Sequence, residues 1–177
     1  MKIKVIGIGG CGCNIVDNIC RGNVEDISFT LVNREGLSSY TSTAEKICIS
    51  NREKNLDESL RQLLTDNPQT IIIAAGMGVK YSAQVAATLC RLHKTIADQH
   101  VQSIVFAVTP FNFESRDKKA AEDIALVSEQ ATRVITFDNN NLLQHRDRPM
   151  AEVFRMVDEE VRSIIKEENR RRNKLSL

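Results

Sequence analysis

The sequence has almost no charge of one sign to spare: 24 lysines and arginines stand against 23 aspartates and glutamates, a formal net charge of +1. That balance gives no global attraction to nucleic acid or to a membrane surface, so neither is expected as a partner and any partner must be argued from local sites. No uninterrupted apolar run approaches the ~18 residues of a membrane span. The chain opens directly on MKIKVIGIGG, which has none of the layout of a secretory signal. Cys11, Cys13, Cys20, Cys48 and Cys90 are odd in number and fall in no spaced Cys/His pattern. This argues against a disulfide framework or a metal site, and for a reduced, cytoplasmic protein. Internal repeats, low-complexity linkers and any sign of a second domain are also missing.

What is present is an ordinary globular composition, 42% hydrophobic and 27% charged over 177 residues, enough for one domain to bury roughly two thirds of its unfolded surface. Short runs rich in valine and isoleucine recur: IKVIGI (3–8), ISFTLV (27–32), KICIS (46–50), TIIIAA (70–75), SIVFAVT (103–109) and RVITF (133–137). Several are apolar throughout, as in strands covered on both faces. Between them the 3.6-residue period predicts helices over 14–21, 56–65, 82–99, 117–130 and about 149–172. The alternation predicts a single-domain α/β fold, a Rossmann-like three-layer sandwich with a mostly parallel, doubly wound sheet. Ligands of such sheets bind at the carboxyl ends of the strands.

In the last helix Met150, Val153, Phe154, Val157, Val161 and Ile164 share one stripe, which predicts packing against the sheet. Beyond it KEENRRRNKLSL turns polar, with Glu167 and Glu168 four residues before Arg171 and Arg172, the favourable order for helical ion pairs. The domain is therefore expected over 1–165, with 166–177 a polar, basic helix end or tail. His93, His100 and His145 are scattered and read as helix-surface or turn residues, while Met77 and Met156 read as core. No catalytic constellation of side chains appears.

The segment KVIGIGGCGCNIVDNI breaks an apolar strand on Gly7, Gly9, Gly10 and Gly12 before helical spacing resumes. A strand, glycine turn and helix aim backbone N–H groups and the positive helix end at one point, which suits a phosphate. Gly7, Gly9 and Gly12 fit G-x-G-x-x-G, the dinucleotide fingerprint, and Glu35 lies a little late for the acidic residue that would hold a ribose. The same glycines also serve close packing of helix on strand.

Taken together, several stretches resemble the FtsZ family, the bacterial tubulin-like cell-division GTPases. IGIGGCGCNIVDNI resembles the family's first nucleotide loop and FTLVNREGL its second strand and loop. IIIAAGMG is similar to the strand that enters its glycine-rich signature, VFAVTPFNFESR to the ribose-contacting loop, VITFDNNNLL to the following strand and asparagine turn, and MAEVFRMVDEEVRSI to the start of the central helix. The matches run in the family's order from residue 2 to about 165. The resemblance implies GTP or GDP as ligand, with Gly9, Gly10, Gly12 and Asn14 at the first loop and Glu35 at the second. It also implies Gly78 and Lys80 on the phosphate side, Glu114 and Arg116 near the ribose, Asn139 and Asp158 reading the base, and Phe154 stacked on it. A carboxylate accepts both N1–H and N2–H of guanine, and a ring adds dispersion. Without the resemblance, Phe154 reads as core, Asp158 as a solvated charge and Asn139 as a turn residue.

The pattern also departs from the family. Where a glycine nest is expected to wrap the outer phosphates, this chain reads Gly78, Val79, Lys80, Tyr81, Ser82, Ala83 and Gln84, with side chains where the nest needs none. Lys80 either meets a phosphate or is solvated, and Ser82 either caps its helix or bonds an oxygen. The third loop, NREKNLDESL, lacks glycine, and its Asp57 and Glu58 repel a triphosphate if they face it. The chain stops at the central helix, so a loop activating a neighbour's nucleotide is expected to be absent. The leading expectation is an FtsZ-like guanine-nucleotide-binding protein with weak or absent hydrolysis, associating with itself or with a cell-division-type filament. Its rivals are an interaction scaffold without nucleotide, an active GTPase centred on Lys80, and an NAD-type dinucleotide-binding domain.

Overall fold

A computed structural model describes residues 2–20, 27–49, 55–96, 101–145 and 147–175. Six strands, β1 (Ile3–Ile8), β2 (Ile27–Asn33), β3 (Glu45–Cys48), β4 (Thr70–Gly76), β5 (Gln102–Thr109) and β6 (Arg133–Asp138), form one sheet in the order β3-β2-β1-β4-β5-β6. Every pairing is parallel. The helices are α1 (Gly9–Ile19), α2 (Leu56–Arg61), α3 (Lys80–Ile96), α4 (Asp117–Gln130) and α5 (Met150–Leu175).

The continuous apolar runs are explained by two cores, because successive strand side chains point to opposite faces. Ile6, Ile8, Ile71, Ile73, Val105 and Ala107 pack under α2, α3 and α4. Val5, Leu31, Ile72, Ala74, Ile104 and Phe106 pack under α1 and α5. The result is the expected three-layer α/β arrangement. Each fully buried leucine or isoleucine contributes about 1.5–3 kcal/mol over leaving it in water. Among the described residues no helix is long and apolar enough to cross a membrane.

Several local expectations are corrected. The first helix starts at Gly9 rather than Asn14, so the glycines form its first turn instead of a loop before it. Gly9 alone makes the bend, with φ +69, and the residues after it are free to be helical. His93 is 1% exposed, not a surface residue. Its Nε2 donates to the Pro68 carbonyl at 2.7 Å, leaving Nδ1 to accept the Ser103 hydroxyl at 2.9 Å. These two partners allow a ring to lie inside the α3 face without an unmet polar atom. Met150, Phe154 and Met156 are exposed rather than core, because the face of α5 that meets α1 and the sheet runs through Val153, Val157, Val161, Ile164 and Ile165. Met77 is buried as expected. In the polar helix end Arg171 pairs with Glu167 at 2.5 Å and Glu168 at 3.1 Å. His100 and the third-loop residues 51–54 lie outside the described residues.

Candidate functional site

Strand order sets where a ligand can enter. The chain runs outward from β1 through β2 to β3, then returns to β4 on the other side of β1 and proceeds to β6. The connections therefore diverge between β1 and β4, leaving a crevice at their carboxyl ends. Gly9 begins α1 at the end of β1, and Gly76 ends β4 beside it. The residue before α1 is Ile8, which offers no side-chain cap, so the first N–H groups of α1 are left to whatever enters the crevice.

Next to this point opens a cleft of about 760 Å³ between α1, the end of β5 and the start of α5. That volume lies within the usual range for small-molecule sites. It brings together four of the twelve expected residues: Asn14 from α1, Asn139 from the 3-10 turn after β6, and Phe154 and Asp158 one turn apart on α5. Phe154 is 43% exposed and forms part of the wall, whereas Asp158, at 7%, is buried rather than solvated. Asn18 Nδ2 donates to Asp158 Oδ2 at 3.1 Å. Burial pushes the Asp158 carboxyl above its ordinary range, against the pull of Asn18 and of Arg162. The cleft thus holds an aromatic face beside an oriented acceptor.

The glycines divide by role. A Cβ on Gly12 would lie 2.0 Å from the Ala74 carbonyl oxygen, and one on Gly7 would lie 2.4 Å from the Gly12 oxygen. Both residues are required for α1 to lie on the sheet. Gly9 has positive φ, and its face is filled by the Ser82 hydroxyl, 2.6 Å from where a Cβ would stand. A Cβ on Gly10 would meet nothing within 4 Å, and the residue is exposed.

The remaining expected residues surround the crevice outside the cleft wall. Glu114 accepts the Phe111 N–H at 2.9 Å and pairs with Arg116, and these two partners hold its carboxyl below the ordinary range. Arg116 packs against the turn at Gly78, whose Cβ would stand 3.2 Å from the Arg116 Cβ. Gly78 has φ +83, and its N–H is already given to Asp123 Oδ2 at 2.9 Å. Lys80 is exposed at the first residue of α3, and Glu35 is exposed just beyond β2. Tyr81 is buried; the Arg34 guanidinium sits 4.4 Å from its ring centre. Asp57 is engaged by Arg91 at 2.8 Å on the α2–α3 side, and Asn55 caps α2, its Oδ1 accepting the Glu58 N–H at 3.4 Å while its Nδ2 donates to Glu58 Oε2 at 2.8 Å.

Sequence reasoning missed Cys11, Asn18, Phe111, Arg155 and Arg162, all of which line the cleft. Asn18 was recoverable, since it stands one helical turn after Asn14 and so shares its face. Arg155 and Arg162 flank Asp158 at three and four residues, again one turn apart. Cys11 carried no such signal. Its thiol is pushed up to about 11 by burial, and then by the Glu114 and Asp158 carboxylates, which disfavours the thiolate at neutral pH.

No protein-family model matches the chain. It is 25% identical, over an alignment of 184 positions, to the cell division protein FtsZ of Mycoplasmopsis pulmonis, taking in 93% of this chain and 46% of that protein. Among solved structures it resembles an FtsZ mutant from M. jannaschii, with a TM-score of 0.77 at 19% identity over 93% of this chain and 55% of the other. It also resembles CetZ2 from Haloferax volcanii in a GTPgS-bound protofilament, with a TM-score of 0.75 at 19% identity over 93% of this chain and 57% of the other. The chain spans about half the length of the proteins it matches. The chain is thus similar in sequence to FtsZ along most of its length, and its architecture is the fold of the FtsZ/tubulin GTPase domain.

Proposed function

We propose that this chain binds a guanine nucleotide in the crevice between β1 and β4, with the base in the 760 Å³ cleft. The observation that carries this reading is the convergence of Asn14, Asn139, Phe154 and Asp158 on one cleft, with Asn14 supplied by a helix at the other end of the sequence from the rest. Asp158 is the acceptor for guanine N1–H and N2–H, held in place by Asn18. Phe154 lies along the base, and the asparagine amides complete its edge. The uncapped start of α1, with Gly10 open to approach, receives the phosphates. The ribose lies towards Glu114 and Arg116, with Glu35 at the rim opposite.

Hydrolysis is proposed to be weak or absent. Tyr81 occupies the first turn of α3 with a buried ring, and the Gly78 N–H is spent on Asp123. The outer phosphates therefore lose donors that a glycine nest supplies, and Lys80 remains as a single flexible cation. By analogy with the proteins it resembles, the chain acts in the cytoplasm by associating with itself or with an FtsZ-like filament, through residues 1–165, with 166–177 as a polar helix end.

Isothermal titration of GDP, GTP, ATP and NAD into nucleotide-stripped protein tests the reading. Micromolar GDP or GTP binding, absent for ATP and lost in Asp158→Ala, is the expected result. Tighter binding of NAD would instead assign the dinucleotide function. A specific observation favours the scaffold as second reading: packing against Gly12 and Ala74 alone already requires two of the glycines. Binding of none of the four ligands would establish it.

A further inference from the structure

β6 is the last strand of the sheet, and none of the described residues pairs with its outer edge. The Thr132 N–H bonds the Ser103 carbonyl at 2.8 Å. The alternation of a parallel ladder then directs the N–H groups of Val134 and Thr136 to β5, and those of Arg133, Ile135 and Phe137 outward. An edge of this kind is a template for another strand unless something covers it.

Beside this edge the second half of α5 leaves a groove of about 610 Å³. Its apolar floor includes Ile135 and Ile164, and its rim carries Arg133, Lys166, Arg170 and Lys174. Two carboxylates, Glu160 and Glu167, also line it, but Glu167 is engaged by Arg171 at 2.5 Å and lies 4.0 Å from Arg133. Among the described residues no carboxylate pairs with Lys166, Arg170 or Lys174. The chain as a whole is nearly neutral at +1, so this excess of positive charge is local.

We infer that the β6 edge and the α5 groove together bind an acidic segment of another protein in extended form, added to the sheet as a seventh strand. Main-chain groups of Arg133, Ile135 and Phe137 pair with it. Because strand side chains alternate, every second residue of the segment faces α5, and carboxylates at those positions meet Lys166, Arg170 and Lys174. A nucleic acid would use the cations but leave the strand edge unpaired. This site is on the α5 half remote from Phe154 and Asp158, and it stands whether or not the chain binds nucleotide.

The test is fluorescence anisotropy with the full chain and a labelled short peptide of alternating glutamate and valine. Saturable binding is expected, weakened about tenfold or more by the double variant Lys166→Glu with Arg170→Glu. The same peptide N-methylated along one backbone edge, and one of alternating glutamate and proline, keep the charge and lose the strand; both are expected not to bind. These arms use the unaltered chain, so they decide the question even where the double variant is unstable. No saturable binding overturns the proposal, as does equal binding of the N-methylated peptide. A single-stranded oligodeoxynucleotide of matched charge that bound as tightly would show a general polyanion groove and overturn it too.

Discussion

Asn18 on α1 and Asp158 on α5 meet through a 3.1 Å hydrogen bond across 140 residues of sequence. The bond fixes a buried carboxylate at the wall of the cleft, where a charge is costly. Under the proposed guanine-nucleotide function, stability and binding oppose each other at this residue.

Asp158→Asn is expected to separate them. Burial raises the Asp158 carboxyl above its ordinary 3.8, so between 3.8 and the folded-state value the folded chain holds the extra proton. Stability contributed by this group then falls as pH rises through that window, and ionisation at neutral pH opposes folding. The neutral variant should melt at or above the wild-type temperature at pH 7. Its guanine-nucleotide affinity should fall roughly 10- to 100-fold, the worth of a charge-assisted hydrogen bond pair. Undiminished GDP binding in titration would remove Asp158 from the site.

Two glycines in the first turn of α1, Gly10 and Gly12, should respond in opposite ways. Gly12→Ala places a methyl 2.0 Å from the Ala74 oxygen, forcing α1 off the sheet, and is expected to cost about 1–3 kcal/mol or more. Gly10→Ala meets open space within a helix and should add about 0.5–1 kcal/mol of stability. If phosphate approaches that turn, the same methyl lowers nucleotide affinity. Denaturant unfolding and titration on both variants check this. Unchanged GDP affinity in Gly10→Ala would move the phosphates elsewhere.

His93 should make the fold sensitive to acid. Burial holds its ring below the ordinary 6.5, so below that pH the unfolded chain takes up a proton that the folded chain refuses. Stability is therefore lost as pH falls from 6.5 through that window. His93→Ala should remove this slope while costing about 2–4 kcal/mol at neutral pH, through lost partners for Ser103 and Pro68 and a cavity. Chemical denaturation at several pH values measures both effects. A variant that keeps the wild-type slope would assign it to other groups.

GTP incubated with the chain should release phosphate at the background rate, and Lys80→Ala should leave that rate unchanged. Lys80 is exposed at the start of α3, while the neighbouring Gly78 N–H is committed to Asp123 at 2.9 Å. Turnover above background that Lys80→Ala abolishes would instead assign the chain as a GTPase with a remodelled phosphate loop.

Much of the architecture is legible in the sequence. The valine- and isoleucine-rich runs lie where β1 to β6 lie, within a residue or two at each end, because a strand covered on both faces must be apolar throughout. The start of α1 was misplaced because glycine read as a breaker, although three of the four glycines have helical φ or a packing role rather than a loop role. The resemblance also names Asn14, Asn139, Phe154 and Asp158 together, whereas without it Asn139, Phe154 and Asp158 read as turn, core and solvated charge.

By itself, then, the sequence determined the elements, their parallel order of use and the residue types at the crevice, since these follow from local period, glycine placement and side-chain chemistry. Only the tertiary structure decided which flank of α5 was left open. Phe154 shares a stripe with Val153 and Val157, yet packing buries the valines and leaves the ring exposed at the cleft. It likewise buried Asp158 against Asn18, enclosed His93 between Pro68 and Ser103, and spent the Gly78 N–H on Asp123. Each of these is a contact between elements distant in sequence. Helical period fixes which residues share a face, but the neighbour that covers that face is set by how the layers pack.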